Sequence, residues 1–146
     1  MKKNILIALT AALMMAGHSF AQKSKKKVEV PGAVSSALAA KFPESASAKI
    51  TWEMEKVNYE ANWGGKSGEA HSAQFTPTGD FVEIVNTIPV SELPMSVIAY
   101  VHQHYKGLKI TEAAKLTKAN GTTFYEAEVK GKEIFFDESG KFQKNK

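Results

Sequence analysis

The spacing of hydrophobic and polar positions changes several times along the chain, and each change predicts an element. Val30, Val34, Leu38 and Phe42 recur every four residues, with Ala37 in the adjacent row. This is the stripe of an amphipathic helix that buries one face. Leu93, Val97, Val101 and Tyr105, with Ile98 beside them, repeat the stripe at an offset of 63. Pro31 and Pro94 stand at the two starts, where a missing N–H leaves no intrahelical bond unmade. Ser91 reads as the N-cap of the second helix, because a hydroxyl there can accept from the first free N–H groups. Pro43 is expected to stop the first helix and Gly107 the second.

Elsewhere the period falls to two, the signature of strands. Ile50, Trp52 and Met54 alternate with Thr51, Glu53 and Glu55; Val57, Tyr59, Ala61 and Trp63 alternate with Asn58, Glu60 and Asn62. After the glycine-rich turn at residues 64–68, Ala73 and Phe75 alternate with Ser72 and Gln74, and Phe81–Ile88 follows a further turn at residues 76–80. Ile110 starts a strand in the second half, and Asn120-Gly121 marks a hairpin turn. Tyr125-Glu126-Ala127-Glu128-Val129 echoes Tyr59-Glu60-Ala61-Asn62-Trp63, and Phe136-x-x-x-Gly140-x-Phe142 echoes Phe75-x-x-x-Gly79-x-Phe81. The expected fold is α+β: two tandem helix-plus-antiparallel-strand repeats, residues 30–90 and 91–146, sharing one curved sheet with both helices on one face. Neither half alone has enough apolar surface for a core.

Alternation then sorts the strand residues by face. Trp52, Tyr59, Trp63, Phe75, Tyr125, Val129, Ile134 and Phe136 form one set, expected beneath the helices. Glu53, Asn58, Glu60, Asn62, Gln74, Glu126, Glu128, Glu133 and Phe135 form the other, an open and carboxylate-rich face. Like charges on neighbouring strands usually destabilise a sheet, so such a face calls for lysine neighbours, a cation or a partner. The candidate binding residues are Glu60, Glu126, Glu128 and Glu133, with Phe135 as an apolar anchor. Trp63 joins them as the tryptophan beside the glycine-rich turn, with a place in the core as its other reading.

Composition narrows the function classes. The 146 residues suit one small domain. Cysteine is absent, which excludes disulfides, thiolate metal sites and cysteine nucleophiles. The formal charge of +4 is misleading, because residues 28–140 hold ten lysines against 15 acids, a net of −5. An acidic body argues against a nucleic-acid partner. Lys2 and Lys3, the apolar run from Ile5 to Ala16, and small residues at Ser19 and Ala21 read as a signal peptide over residues 1–21, cleaved before Gln22. The run is too short to span a bilayer, which needs about 20 residues, so the mature chain is expected in the periplasm or secreted, with no membrane span. Residues 22–29 carry Lys23, Lys25, Lys26 and Lys27 and read as a lysine-rich flexible linker. No hydrolase, phosphate-loop or zinc-protease motif is present. His102 and His104 sit two apart on a helix and diverge, a poor chelate. No catalytic residue, metal site or cofactor is expected.

The export signal, the Leu93-Pro94-x-x-Val97 helix start and the Tyr-Glu-Ala strand leading to Phe-x-x-x-Gly-x-Phe together resemble the PepSY-like, β-lactamase-inhibitor-like family of small periplasmic proteins. The resemblance covers residues 28–146. It implies paired helix-and-sheet repeats with an open face, a face that the namesake inhibitors use, with their loops, to clamp an enzyme. Those inhibitors typically carry disulfides, and no inhibitory loop residue can be matched here. The expected function is a non-catalytic exported binding or inhibitor-like module, docking an unknown protein or peptide of the cell envelope on its open face or loops. The alternative is an envelope protein that binds a small ligand or cation.

Overall fold

In the computed structural model, residues 28–144 are described; the expected signal peptide and all but Val28 and Glu29 of the expected linker lie outside them. The first helix, α1, spans Gly32–Lys41, and the second, α2, spans Met95–His104. Each begins directly after a proline whose carbonyl accepts the first helical bonds: Val34 and Ser35 N–H donate to Pro31, and Val97 and Ile98 N–H donate to Pro94. No side chain caps either start. Ser91 is therefore not the N-cap of α2; it belongs to a separate 3₁₀ turn, Val90–Glu92, because Pro94 sets its own φ and supplies the first acceptor. The first helix gives way after Phe42 to a 3₁₀ turn, Pro43–Ser47. Each helix buries two residues four apart, Val34 and Leu38 in α1, Val97 and Val101 in α2.

Eight strands form one antiparallel sheet in sequence order: β1 Thr51–Glu55, β2 Asn58–Trp63, β3 His71–Phe75, β4 Phe81–Ile88, β5 Ile110–Lys118, β6 Thr123–Val129, β7 Lys132–Asp137 and β8 Phe142–Gln143. Each strand pairs with the next; α2 lies within the connection between the neighbours β4 and β5. Val57 does not extend the alternation of β2. It occupies the two-residue turn between β1 and β2, next to Lys56 at φ 58°, and is exposed. The β6–β7 turn, Lys130-Gly131, has positive φ at both residues, the twist-matched form for a two-residue hairpin.

The ladder settles which residues share a face. Tyr59 opposes Phe75, Ala61 opposes Ala73 and Trp63 opposes His71; all but His71 pack with Val34 and Leu38 of α1 into one cluster. Tyr125 opposes Phe136 and Ala127 opposes Ile134; these pack with Val97 and Val101 of α2 into a second cluster. The β4–β5 register, with Ile84 opposite Thr117 and Ile88 opposite Ala113, carries this face from one half to the other. Both helices thus lie on the face that alternation assigned to the bulky side chains. Alanines form the central rows, so the helices sit close, and rings fill the margins. Phe42 lies 5.6 Å from Trp63 and 5.7 Å from Phe81, centroid to centroid. Trp63, 2% exposed, is a core residue under α1. Its candidacy as a surface anchor is corrected: odd-numbered positions of β2 point towards the helix, not the glutamates.

The two Phe-x-x-x-Gly-x-Phe motifs have a packing cause. Gly79 (φ 91°) lies against the first turn of α1, where a Cβ would stand 2.8 Å from the Ala33 carbonyl oxygen. Gly140 (φ 78°) lies against the first turn of α2, where a Cβ would overlap the Ser96 hydroxyl. Ser96 Oγ donates to the Ser139 carbonyl at 3.1 Å. Each glycine lets a strand turn touch the start of a helix.

Gly121 also has positive φ but no neighbour within 4 Å of a Cβ. Gly121→Ala is expected to cost about 1–2 kcal/mol, the left-handed backbone penalty alone. Gly79→Ala should cost at least about 1 kcal/mol more, from overpacking against Ala33, as read from urea unfolding midpoints. Trp63→Ala should destabilise by about 3–5 kcal/mol in the same measurement; a loss under about 0.5 kcal/mol would fit a surface ring instead.

Candidate functional site

Among the described residues, no helix lies over the opposite face of the sheet. Its side chains run in rows defined by the ladder. The first row reads Glu53, Glu60, Gln74, Glu83 and Lys118 across β1 to β5. The second continues from Asn62 and Ser72 to Val85, Leu116, Phe124 and Asp137. The third holds Thr87, Ala114, Glu126, Phe135 and Gln143. The fourth is Glu112, Glu128 and Glu133.

These rows bring Glu126 beside Phe135, and Glu128 beside Glu133, so four of the candidate residues form one patch on β6 and β7. Glu60 is on β2, four strand spacings or about 19 Å away along the sheet. Trp63 is on the far side of the sheet. Between the two acidic regions lies an apolar floor that the alternation argument did not assign: Val85, Ala114 and Leu116, with Phe124 packed against them. Leu116 is only 2% exposed although no helix among the described residues covers it. The Lys118 ammonium stands 5.0 Å from the Phe124 ring centroid, within cation–π range. The signal for this floor was the run Phe81-Val82-Glu83-Ile84-Val85, apolar at both parities, which marks a strand with both faces partly buried.

The carboxylates are held by donors from neighbouring strands. Ser72 Oγ donates to Glu60 Oε1 at 2.5 Å, and Gln74 Nε2 lies 3.4 Å from Glu60 Oε2. Burial pushes the Glu60 carboxyl above its ordinary range; the Ser72 bond opposes this, while Glu55 and Glu53 push further upward. Glu112 is also raised, by desolvation first and then by the neighbouring Glu128. Thr111 Oγ1 donates to Glu128 Oε1 at 2.9 Å. Asp137 behaves oppositely. The Ser139 hydroxyl and the Lys141 and Ser139 N–H groups donate to its Oδ1, which holds it below the usual range. Asp137, Phe124 and Gln143 also line a shallow open pocket with Thr122, Thr123, Glu138 and Ser139. His71 pairs through Nδ1 with Asn86 Oδ1 at 2.8 Å, and His104 stacks on Tyr100. Among the described residues, no three His, Asp or Glu side chains converge as a metal ion would require. No helix among them is long and apolar enough to cross a membrane.

Comparison with solved structures places this architecture among known folds. A protein from Bacteroides eggerthii, described as a putative periplasmic protein, shares 19% identity, 80% of this chain and 88% of its own, at a TM-score of 0.68. A DUF2874 family protein from Bacteroides ovatus matches 80% of this chain and 86% of its own at 18% identity and a TM-score of 0.65. A BLIP-like protein from Bacteroides fragilis matches 82% and 86% at 20% identity and a TM-score of 0.60. At these identities the likeness is one of fold. No curated protein matches the chain. The family model described as "Putative beta-lactamase-inhibitor-like, PepSY-like" matches residues 59–144, more than half of the sequence, and the chain belongs to that family.

Proposed function

We propose that this chain is a non-catalytic, exported binding module that docks a cationic protein or peptide on its open sheet face. The observation that supports it most is the face itself. An uncovered sheet carries carboxylates at opposed ladder positions, Glu53 with Glu60 and Glu112 with Glu128 and Glu133, around the apolar floor of Val85, Leu116 and Phe124. Apolar contact at the centre with charge around it is the usual anatomy of a docking surface. A basic partner would stabilise carboxylates that folding has raised in pKa, and charge complementarity would speed its capture. Phe135, beside Glu126, is the proposed anchor. Kinship with inhibitor-like proteins favours an enzyme or other envelope protein as the partner class. Export follows from the proposed signal peptide at residues 1–21, and the Bacteroides eggerthii relative is described as a putative periplasmic protein.

The same reading takes residues 30–90 and 91–146 as a duplicated unit. Both helices start after a proline, and both turn glycines abut the first turn of the helix that opens their own half. Docking would then use a sheet built from two copies of one four-strand element.

The docking test is a capture from envelope extract followed by titration of the captured partner. Glu60→Lys combined with Glu126→Lys should weaken binding at least tenfold, about 1.4 kcal/mol, and the loss should shrink as salt rises. Unchanged binding would remove the open face from the function. Stability reports the same electrostatics. Because the folded pKa of Glu60 lies above its unfolded value, the folded chain holds that proton more tightly. Its favourable contribution is present at acid pH and is lost as pH rises through the folded pKa. Glu60→Gln should therefore be more stable than the parent at pH 7, with the gain shrinking as pH falls through the ordinary carboxylate range, as followed by urea midpoints at several pH values.

A further inference from the structure

We propose that the helix side of the sheet holds a second site, between α1 and α2, that takes the carboxylate end of a short peptide. It lies across the sheet from the open face and does not depend on the docking reading.

Three observations carry it. The first is a polar row where a core would be expected. On the side that carries the helices, the ladder runs Trp63, His71, Asn86, Lys115 and Tyr125 across β2 to β6. On β4, Ile84 packs into the cluster beneath α1 and Ile88 into the cluster beneath α2. Asn86 stands between these two isoleucines on the same side of the strand. Asn86 is half-buried and Lys115 is exposed, so neither helix seals the row there.

The second is its donors. His71 Nδ1 and Asn86 Oδ1 are 2.8 Å apart. A carboxamide oxygen only accepts, so Nδ1 carries the proton and Asn86 Nδ2 remains a donor. Lys115, opposite Asn86, meets no acid among the described residues. Tyr125, opposite Lys115, brings a phenol. An amide, an ammonium and a phenol on three neighbouring strands, each about 5 Å from the next, suit a carboxylate. One ammonium balances one negative charge, whereas a dianion would keep a charge uncompensated.

The third is a pair of buried polar atoms. The row closes on Trp63, whose ring belongs to the core under α1 and is 2% exposed. Its indole N–H is buried without an acceptor among the described residues. Glu69 Oε2, two residues ahead of His71, is likewise buried without a donor. Buried polar groups are ordinarily paired, and one peptide group supplies both partners: a carbonyl for the indole and an N–H for the carboxylate. Trp63 and Lys115 are three strand spacings apart, about 14 Å, the length of about four extended residues. Gly64 and Gly65, both at positive φ, open the loop that closes this end, with Gly64 against the His71 ring. That loop would yield to admit the chain.

The test is an NMR titration with N-acetyl-trialanine and with its C-terminal amide. The free acid should shift the backbone amides of Asn86, Lys115 and Tyr125 and move the Trp63 indole proton downfield, as a new carbonyl acceptor would. Capping the peptide as the amide, or Lys115→Gln in the protein, should each weaken binding at least tenfold. Lys115 is exposed, so Lys115→Gln should keep the parent urea midpoint, which checks the fold. Equal affinity for acid and amide would overturn the inference, as would shifts confined to Glu60, Phe124 and Glu126 on the open face. Acetate acting as well as the peptide, without moving Trp63, would reduce the site to a carboxylate contact and overturn the peptide reading. A Trp63 indole proton that ignores the peptide and shows a cross-peak to water would assign that donor to a bound water and overturn it too.

Discussion

Two ten-residue helices cannot cover both faces of an eight-stranded sheet, and this constraint governs the rest of the molecule. Strand geometry sends every second side chain to the uncovered face. One set of residues can be sealed by α1 and α2, and the other must come to terms with water or with one another. The sealed set is alanine in its central rows, Ala61 with Ala73 and Ala127 with Ala113, so that Val34, Leu38, Val97 and Val101 reach down to it. The unsealed set solves its problem locally. Ser72 and Gln74 supply hydrogen bonds to Glu60, and Val85, Ala114 and Leu116 bury one another with Phe124.

The two helix-side cores are separate clusters, one beneath each helix. What joins the halves is the β4–β5 ladder and, on the other face, the floor formed by Val85 of β4 with Leu116 of β5. Neither small cluster would hold four strands by itself. The open face therefore also serves stability: the floor that a partner would contact is the apolar material bridging the two halves. A substitution at Leu116 would test both roles at once, whereas Glu53 is exposed and can be changed without removing buried hydrocarbon; Glu83 and Glu126 are themselves buried.

Much of this was legible before the structure, and the exceptions share a physical cause. Alternation assigned Tyr59, Phe75, Tyr125 and Phe136 to the helix side because one residue of slip would have reversed every side chain. The Phe-x-x-x-Gly-x-Phe repeat was visible as a pattern, but its reason, contact with Ala33 and Ser96, is long-range and has no local signature. Val57 was misread because alternation by chance continues through a two-residue turn, where Lys56 takes positive φ without a glycine to announce it. Ser91 was misread because proline carbonyls start both helices in place of a side-chain cap. At the site, the glutamates were found by parity. Trp63 was drawn towards them by its neighbouring glycines although its own parity placed it in the core. The floor went unseen because β4 is apolar on both sides, and periodicity cannot sort such a strand.

On the proposed docking reading, the open face suits a diffuse cation better than a compact one. A divalent ion needs several oxygens turned inwards on one point. Here Glu60 is engaged from a neighbouring strand by Ser72 and Glu128 by Thr111, and the opposed glutamates stand along ladder rows instead of around a centre. An ammonium on a long stem can approach such a row side by side, one lysine to each carboxylate, and lay its methylenes along Leu116 and Phe124. Gains from successive charges add along an extended segment, and the arrangement requires no desolvated cavity. On the proposed docking reading, a partner segment with basic residues at alternate positions would match Glu126 and Glu128, two residues apart along β6.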